Sequence, residues 1–448
     1  MELFGTAGIR GSATEKVTPE LALAVGRAAG ADGNEFVVGR DGRVTGPALA
    51  AAMEAGLESA GATVYRAGIL PTPALAFASQ GRRGVMLTAS HNPPTDNGIK
   101  VFDDGVEYDR ESERGIESRV ESGTKPAAWD EWGEGETIEP LVEYRRAVTA
   151  FASTRGADLD GLRVAVDCGN GVGAVATPQV LRELGAQVVT LNANVDGHFP
   201  GRESKPTPES LSDLREFVAD GDFAFGLGHD GDADRIVIVD SDGEVVHEDT
   251  ILAILAEHYV RSEDVVDPVV VTTPNASARI DERVRAAGGR VERVRLGALH
   301  EGIASARADG GDVVFAAEPW KHIHVPFGGW IDGVTSAAVI SRLVADVGLD
   351  ALREPVTERP YRKVSVDCPD TSKVPAMTTL ETTLPAAFPD AEVDTEYGVR
   401  LEFPDASWAL VRPSGTEPYV RIYAESDDVD TLVADVRAVV DEAVADAS

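Results

Sequence analysis

Cysteine is nearly missing from this chain of 448 residues: only Cys168 and Cys368 occur, far apart. That excludes a disulfide scaffold or a thiolate zinc site, and the two read as small buried hydrophobes. Long apolar runs are missing too, and none approaches the ~20 residues that span a bilayer. The opening Met1-Glu2-Leu3-Phe4 lacks the basic and apolar regions of a signal peptide. A cytoplasmic protein with no membrane partner is expected. Lysine is scarce. Arginine supplies most of the 41 basic residues, against 76 acidic ones, and the net charge is −35. The acidic residues run along the whole chain and do not form a tail. This predicts a solvated acidic surface suited to a high-salt cytoplasm, where screening reduces self-repulsion. Such a surface argues against nucleic acid as a partner. An anionic ligand would need a site that concentrates its own cations, so the few Arg and Lys beside glycine-rich loops become informative.

Hydrophobic residues make up 43% of the chain, and a chain of this length is expected to hold several cores. One pattern recurs three times: a Val-rich strand, a polar loop, a helix, a glycine and a second strand. The copies run over Glu35–Arg66, Arg163–Leu191 and Pro268–Val294. Few charges in the strands suit burial on both faces. Gly61, Gly185 and Gly288 stand where a helix end needs a left-handed residue. Strand–helix–strand units of this length favour parallel pairing. The last ~90 residues read as strands at Lys363–Val366, Arg400–Phe403, Ser407–Val411 and Tyr419–Ala424, then an amphipathic helix over Asp428–Ala445. The expected fold is therefore α/β: three related α/β domains (1–148, 149–248, 249–357) and a smaller α+β domain (358–448). The acidic segment Arg110–Glu139 reads as surface loop and short helix.

Four loops carry candidate chemistry. Thr88-Ala89-Ser90-His91-Asn92-Pro93-Pro94 follows a short strand at Gly84–Leu87, so Ser90 sits at a stiffened strand exit. A serine hydroxyl needs activation or prior modification. Strand parity turns His91 away from it, and no Gly-x-Ser-x-Gly elbow is present. His229-Asp230-Gly231-Asp232-Ala233-Asp234-Arg235 places three carboxylates at alternate positions between two apolar strands. An EF-hand is excluded, because its sixth position must be Gly and here is Arg235. A three-Asp site with open positions suits Mg²⁺ and phosphate oxygens, with Arg235 as a fixed cation beside them. Arg412-Pro413-Ser414-Gly415-Thr416-Glu417-Pro418, with Arg421, makes a phosphate cradle. Phe4-Gly5-Thr6-Ala7-Gly8-Ile9-Arg10-Gly11, and Lys100 behind the Ser90 loop, add cations.

Four loops in this order resemble the α-D-phosphohexomutase superfamily, over nearly the whole chain from Phe4 to Tyr423. The resemblance implies three α/β domains and a smaller fourth around a central cleft. It implies Ser90 as phosphoryl carrier, with Asp230, Asp232, Asp234 and a phosphoserine oxygen on Mg²⁺. Arg235 would neutralise phosphate charge, and Arg10 and Lys100 would handle protons. Arg412, Ser414, Gly415, Thr416 and Arg421 would hold the non-transferring phosphate of a small sugar phosphate, with a sugar bisphosphate as activator. The sugar loop departs from the commonest pattern, Gly-Glu-x-Ser-Gly-His, and reads Ala317-Glu318-Pro319-Trp320-Lys321-His322. Glu318, Trp320, Lys321 and His322 are the substrate-binding candidates, with Trp320 either stacked on a sugar or packed in a core. The opening loop and the Arg-Pro-Ser-Gly-Thr-Glu-Pro form resemble the phosphoglucosamine and archaeal hexosephosphate branch. Phosphoglucosamine is the first substrate expectation, then phosphomannose or phosphoglucose, then a pentose phosphate. A phosphoserine-dependent phosphatase is the alternative from another class. Monomer and homo-oligomer both stay open.

Overall fold

The computed structural model describes residues 3–5, 8–414 and 417–447. The chain divides into two compact units, Met1–Ile251 with Phe315–Arg353, and Leu252–Val314 with Glu354–Ser448. Both are mixed α/β, and among the described residues no helix is long and apolar enough to cross a membrane.

The first unit holds two sheets. The larger runs Ile9–Ser12, Asp96–Asp103, Arg83–Leu87, Glu35–Arg40, Thr63–Ile69, Gly135–Thr137. Its centre is parallel, and Asp96–Asp103 reverses direction against Arg83–Leu87. Phe36, Val38, Val64, Val85, Leu87 and Ile99 line one core with Val25, Leu49 and Met53. The smaller sheet runs Ile236–Val239, Phe225–His229, Arg163–Asp167, Gln187–Leu191, with only the first pair antiparallel. In the second unit Pro268–Thr272 pairs parallel with Arg290–Arg293. A five-stranded antiparallel sheet, Tyr361–Asp367, Tyr419–Glu425, Trp408–Pro413, Val399–Glu402, Glu392–Asp394, packs its Val, Ile and Ala face on the helices Asp370–Ala387 and Val429–Asp446.

Each repeat strand–helix–strand unit forms where the sequence placed it, with both strands parallel. The terminating glycines adopt the left-handed backbone, as at Gly288 (φ 94°), whose N–H closes on Val284 and Arg285. The acidic segment differs from expectation. Arg110–Ser122 is a 13-residue helix, capped by Asp109 on the Ser112 N–H and ended by Gly123 at φ 73°. Its Glu117 accepts the backbone N–H groups of Leu3 and Phe4 at 2.8 and 2.9 Å. The stretch beyond it adds Gly135–Thr137 as an edge strand beside Thr63–Ile69.

Candidate active site

Ser90 lies three residues past the end of the strand Arg83–Leu87 and takes a left-handed backbone (φ 51°), uncommon for a residue with a Cβ. Its peptide is held from several sides. The N–H donates to Thr88 Oγ1 at 2.9 Å. The carbonyl accepts from Arg43 Nη2 at 3.0 Å and from Ser204 Oγ at 2.9 Å. Arg43 also donates to the carbonyls of Asn92 (2.7 Å), Pro93 (2.5 Å) and Asp96 (2.9 Å), and pairs with buried Asp41 at 3.1 Å. Burial pushes Asp41 up to about 6, against the pull of Arg43. Thr88 closes the ring by donating to Asp41 at 2.7 Å. One fully buried guanidinium therefore sets the shape of the whole serine loop. The only sequence signal for Arg43 and Asp41 was a polar Gly-rich loop after a parallel strand.

The Ser90 hydroxyl donates to Asp230 Oδ2 at 2.6 Å. Strand parity does not govern His91, because the strand has already ended. Its Nδ1 lies 3.4 Å from Ser90 Oγ. Burial first, and then Arg235 and Arg10, drive this imidazole down to about 2, so it stays neutral.

Asp230, Asp232 and Asp234 occupy the turn between Phe225–His229 and Ile236–Val239, all buried, with one oxygen of each within 4.8 Å of the others. Asp232 Oδ2 accepts from Thr72 Oγ1 at 2.7 Å, and Asp234 Oδ2 from Lys100 Nζ at 2.9 Å. Asp232 Oδ1 and Asp234 Oδ1 are buried with no hydrogen-bond partner. Burial, then repulsion from Asp234 and Asp232, holds Asp230 well above the usual carboxylate range. Burial opposes the charge of Asp234 too, but Lys100 and Arg235 outweigh it and hold that carboxyl below the range. Three clustered carboxylates with two orphaned oxygens and no nitrogen or sulfur donor among them could hold a hard cation. Gly231 is required here, since a Cβ would stand 2.7 Å from both the Ser90 carbonyl and Ser204 Oγ.

The cations gather on the same side. Arg10 pairs with Gly98 on the neighbouring strand, two residues before Lys100, and its Nε is buried without a partner. Burial pulls Lys100 down, but Asp234, Glu107 and Asp232 outweigh it and raise it. Arg235 Nε lies 3.7 Å from Asp230 and 3.8 Å from Asp234. Lys321 bridges to Arg235 through the backbone, and its Nζ is 3.5 Å from Glu318 Oε2. Trp320 (φ 68°) packs its half-buried indole against a cluster that includes Leu211, Phe223 and Val237. The residues it packs on lie within 149–248 and not in the segment 249–357. His322 is buried, bonds Ser336 Oγ at 3.0 Å, and is pushed down to about 3 by burial. Asp332 caps the helix Gly333–Val347 and accepts from Tyr144 and Trp330.

In the other unit, Arg412 and Arg421 face each other across two antiparallel strands. Arg412 Nη2 donates to Tyr423 OH at 3.1 Å and Arg421 Nη2 to Tyr419 OH at 2.5 Å. Nε of each arginine is buried without a partner. Burial raises Tyr423, but Arg412 and Arg421 outweigh it and lower it. Ser414 Oγ accepts the Glu417 N–H at 3.3 Å. Gly415 and Thr416, like Thr6 and Ala7, lie outside the described residues. Sequence reasoning missed Lys373, which ties the carbonyls of Ser414 and Glu417 together at 2.7 and 2.5 Å.

Three family models match this chain, all of the phosphoglucomutase/phosphomannomutase family: alpha/beta/alpha domain I over residues 1–127, alpha/beta/alpha domain II over 142–243, and the C-terminal domain over 366–443. The "Phosphopentomutase" of Thermococcus kodakarensis is 43% identical over 438 residues, 95% of this chain and 94% of that protein. The "Probable phosphoglucosamine mutase" of Methanopyrus kandleri is 42% identical over 435 residues, again 95% and 94%. A crystal structure of a phosphoglucomutase/phosphomannomutase family protein from Burkholderia thailandensis superposes with a TM-score of 0.87 at 26% identity, covering 99% of this chain and 97% of that one. The chain belongs to the phosphoglucomutase/phosphomannomutase family, within the α-D-phosphohexomutase superfamily. It is a mutase, an isomerase by class.

Proposed function

We propose that the chain moves a phosphoryl group between two oxygens of a sugar monophosphate, with Ser90 as carrier and Mg²⁺ on Asp230, Asp232 and Asp234. The observation that carries this reading is the Ser90 hydroxyl 2.6 Å from Asp230, at the edge of three buried carboxylates with two unpartnered oxygens. In the first half-reaction the bond from phosphorus to Ser90 Oγ breaks as a bond forms from phosphorus to a sugar hydroxyl oxygen; that hydroxyl gives up its proton and Ser90 Oγ takes one up, so the serine hydroxyl is restored with no net proton released. The resulting bisphosphate turns over, and its other phosphate returns to Ser90. Bound Mg²⁺ supplies positive charge against the phosphoryl oxygens. Arg235, beside the carboxylates, and Arg10, with its unpartnered Nε, add fixed charge there. Arg10 and Lys100 remain the proton-handling candidates. Lys100 is ion-paired to Asp234, which suits a donor better than an acceptor. Arg43 and Ser204 keep the carrier's backbone fixed while its charge changes.

Glu318 would accept from sugar hydroxyls, and Lys321 beside it would influence which sugar is taken. Trp320 and His322, packed as they are, would support this hairpin more than touch the sugar. Arg412, Ser414, Gly415, Thr416 and Arg421 would grip the other phosphate, in a loop tied down by Lys373. The four segments 1–148, 149–248, 249–357 and 358–448 would be the domains of a cytoplasmic enzyme primed by a sugar bisphosphate. The sequence puts glucosamine phosphate first. A pentose phosphate is favoured by the 43% identical relative named for that activity. Turnover of glucosamine, mannose, glucose and ribose 1-phosphates with Mg²⁺ tests the reading. Isomerisation of at least one supports it, and release of inorganic phosphate alone would show a phosphatase instead.

A further inference from the structure

Between the strand Gln187–Leu191 and the helix Ser212–Ala219 the chain runs without helix or strand. Its first part, 192–204, is a closed loop pressed into the candidate site, within the first compact unit. One buried carboxylate closes it. Asp167 Oδ1 accepts from Asn192 Nδ2 at 3.1 Å, and Asp167 Oδ2 accepts from Arg202 Nε at 2.8 Å. Asn170 holds the middle, donating to the Asn194 carbonyl at 3.1 Å and accepting the Gly201 N–H at 2.9 Å. Gly197 lies so close to the loop of Arg43 that a Cβ would stand 2.5 Å from the Gly42 carbonyl oxygen. Phe199 takes a left-handed backbone (φ 52°), a strained state for so large a side chain. Its buried ring lies 5.1 Å from the Arg43 guanidinium, and a Cβ on Gly231 would stand 3.3 Å from it. Two residues at the end of the loop then reach the two halves of the site. Arg202 Nη2 donates to the His229 carbonyl at 2.6 Å, next to Asp230. The Ser204 hydroxyl donates to the Ser90 carbonyl at 2.9 Å. His229 passes the hold along the turn. Its Nδ1 lies 2.7 Å from the Arg235 carbonyl, which only accepts, so Nδ1 carries the proton and Thr177 Oγ1 donates to Nε2 at 2.8 Å.

We infer that Arg202 and Ser204 are positioning residues for phosphoryl transfer: together they hold the carrier serine and the carboxylate turn in one register. The inference rests on the reading of Ser90 as carrier. Both residues act through others. The Arg202 side chain is 5% exposed and its charge is paired with Asp167, while the Ser204 hydroxyl is engaged by a carbonyl. What they share is a short stretch of backbone, fastened at Asp167, that touches His229 on one side and Ser90 on the other. The Ser90 oxygen keeps its place beside Asp230 only while both contacts stand. Removing the Ser204 hydroxyl leaves the Ser90 carbonyl with Arg43 as donor, so no buried acceptor is orphaned and alignment is what is lost. A full ~1 Å displacement costs about a hundredfold in rate, and loss of one of the two supports is expected to cost about tenfold.

The test measures kcat, KM and the melting temperature of the full chain and of its Ser204→Ala, Arg202→Lys and doubly substituted variants with Mg²⁺. The probe is whichever of the glucosamine, mannose, glucose and ribose 1-phosphates the wild type turns over fastest. Arg202→Lys keeps a charge for Asp167 but not the fork that also reaches the His229 carbonyl. At a temperature where every variant is folded, each single substitution should lower kcat about tenfold and leave KM within about twofold, as for contacts that act only in the transition state. Because both residues hold one register, the double variant should lose far less than the product of the single losses. A kcat within about twofold of wild type in either single variant would overturn the inference. So would losses that appear in KM alone, or losses that multiply in the double variant. Each of these leaves Ser90 as carrier untouched. A wild type that turns over none of the four sugars would instead fail the mutase reading, and this inference with it.

Discussion

At the residue scale, the candidate site is a balance of buried charge. Asp230, Asp232 and Asp234 repel one another, and Lys100 lies nearest Asp234, at 2.9 Å, with Asp232 at 3.8 Å. Asp232→Asn keeps the acceptor for Thr72 and removes one of the repelling charges. Without divalent ions this variant should unfold at the same temperature as wild type or above it. Its stabilisation by Mg²⁺ should fall well below the ~2.7 kcal/mol expected of a ligand present at a hundred times its Kd. Melting curves with chelator and with Mg²⁺ check this, and undiminished Mg²⁺ stabilisation in Asp232→Asn would remove the metal assignment. Ser90 and the three aspartates were legible in the sequence because their chemistry resides in side chains at regular spacing. Arg43 was not, because its guanidinium donates to one carboxylate and to four backbone carbonyls, which leave no trace in residue identity. The orientation of His91 was misjudged because parity was extended past the end of a strand.

At the scale of elements, the account depends on two loops meeting. The serine loop and the carboxylate turn touch through Gly231, with Ser204 wedged against both. Gly231→Ala places a methyl 2.7 Å from the Ser90 carbonyl, where backbone must move. The expected loss of stability is only ~1–3 kcal/mol, while kcat should fall about a hundredfold, because displacing the carrier by ~1 Å misaligns the transfer. Guanidinium midpoints and kcat, measured together, separate the two effects, and a kcat near wild type would show that this contact is not needed. Elements with Val-rich apolar centres, such as Arg163–Asp167 and Pro268–Thr272, appear over the residues read from the sequence. The helix Arg110–Ser122 was less legible. Its apolar stripe is short, with Ile116 in the core and Val120 beside it, and Glu117 is buried for the sake of backbone more than a hundred residues away. The edge strand Gly135–Thr137 is exposed along its length and shows no burial pattern to read.

At the scale of the whole molecule, 76 acidic against 41 basic residues create self-repulsion that salt screens. The melting temperature should climb as KCl is raised from ~0.1 to ~2 M, because the Debye length shrinks from about 10 Å to below 3 Å. A melting temperature that is flat or falling over this range would refute the high-salt reading of the charge. The central claim is that one serine of the full chain carries the phosphoryl group, and peptide-resolved mass spectrometry tests it most directly. The chain should be treated with Mg²⁺ and a sugar 1,6-bisphosphate and then digested. One phosphoryl group is expected, on the peptide bearing Ser90, to be lost when a sugar monophosphate is added; Ser90→Ala should show neither the group nor turnover. A chain that isomerises sugar phosphates with Ser90 never phosphorylated, or with Ser90→Ala as active as wild type, would contradict the account.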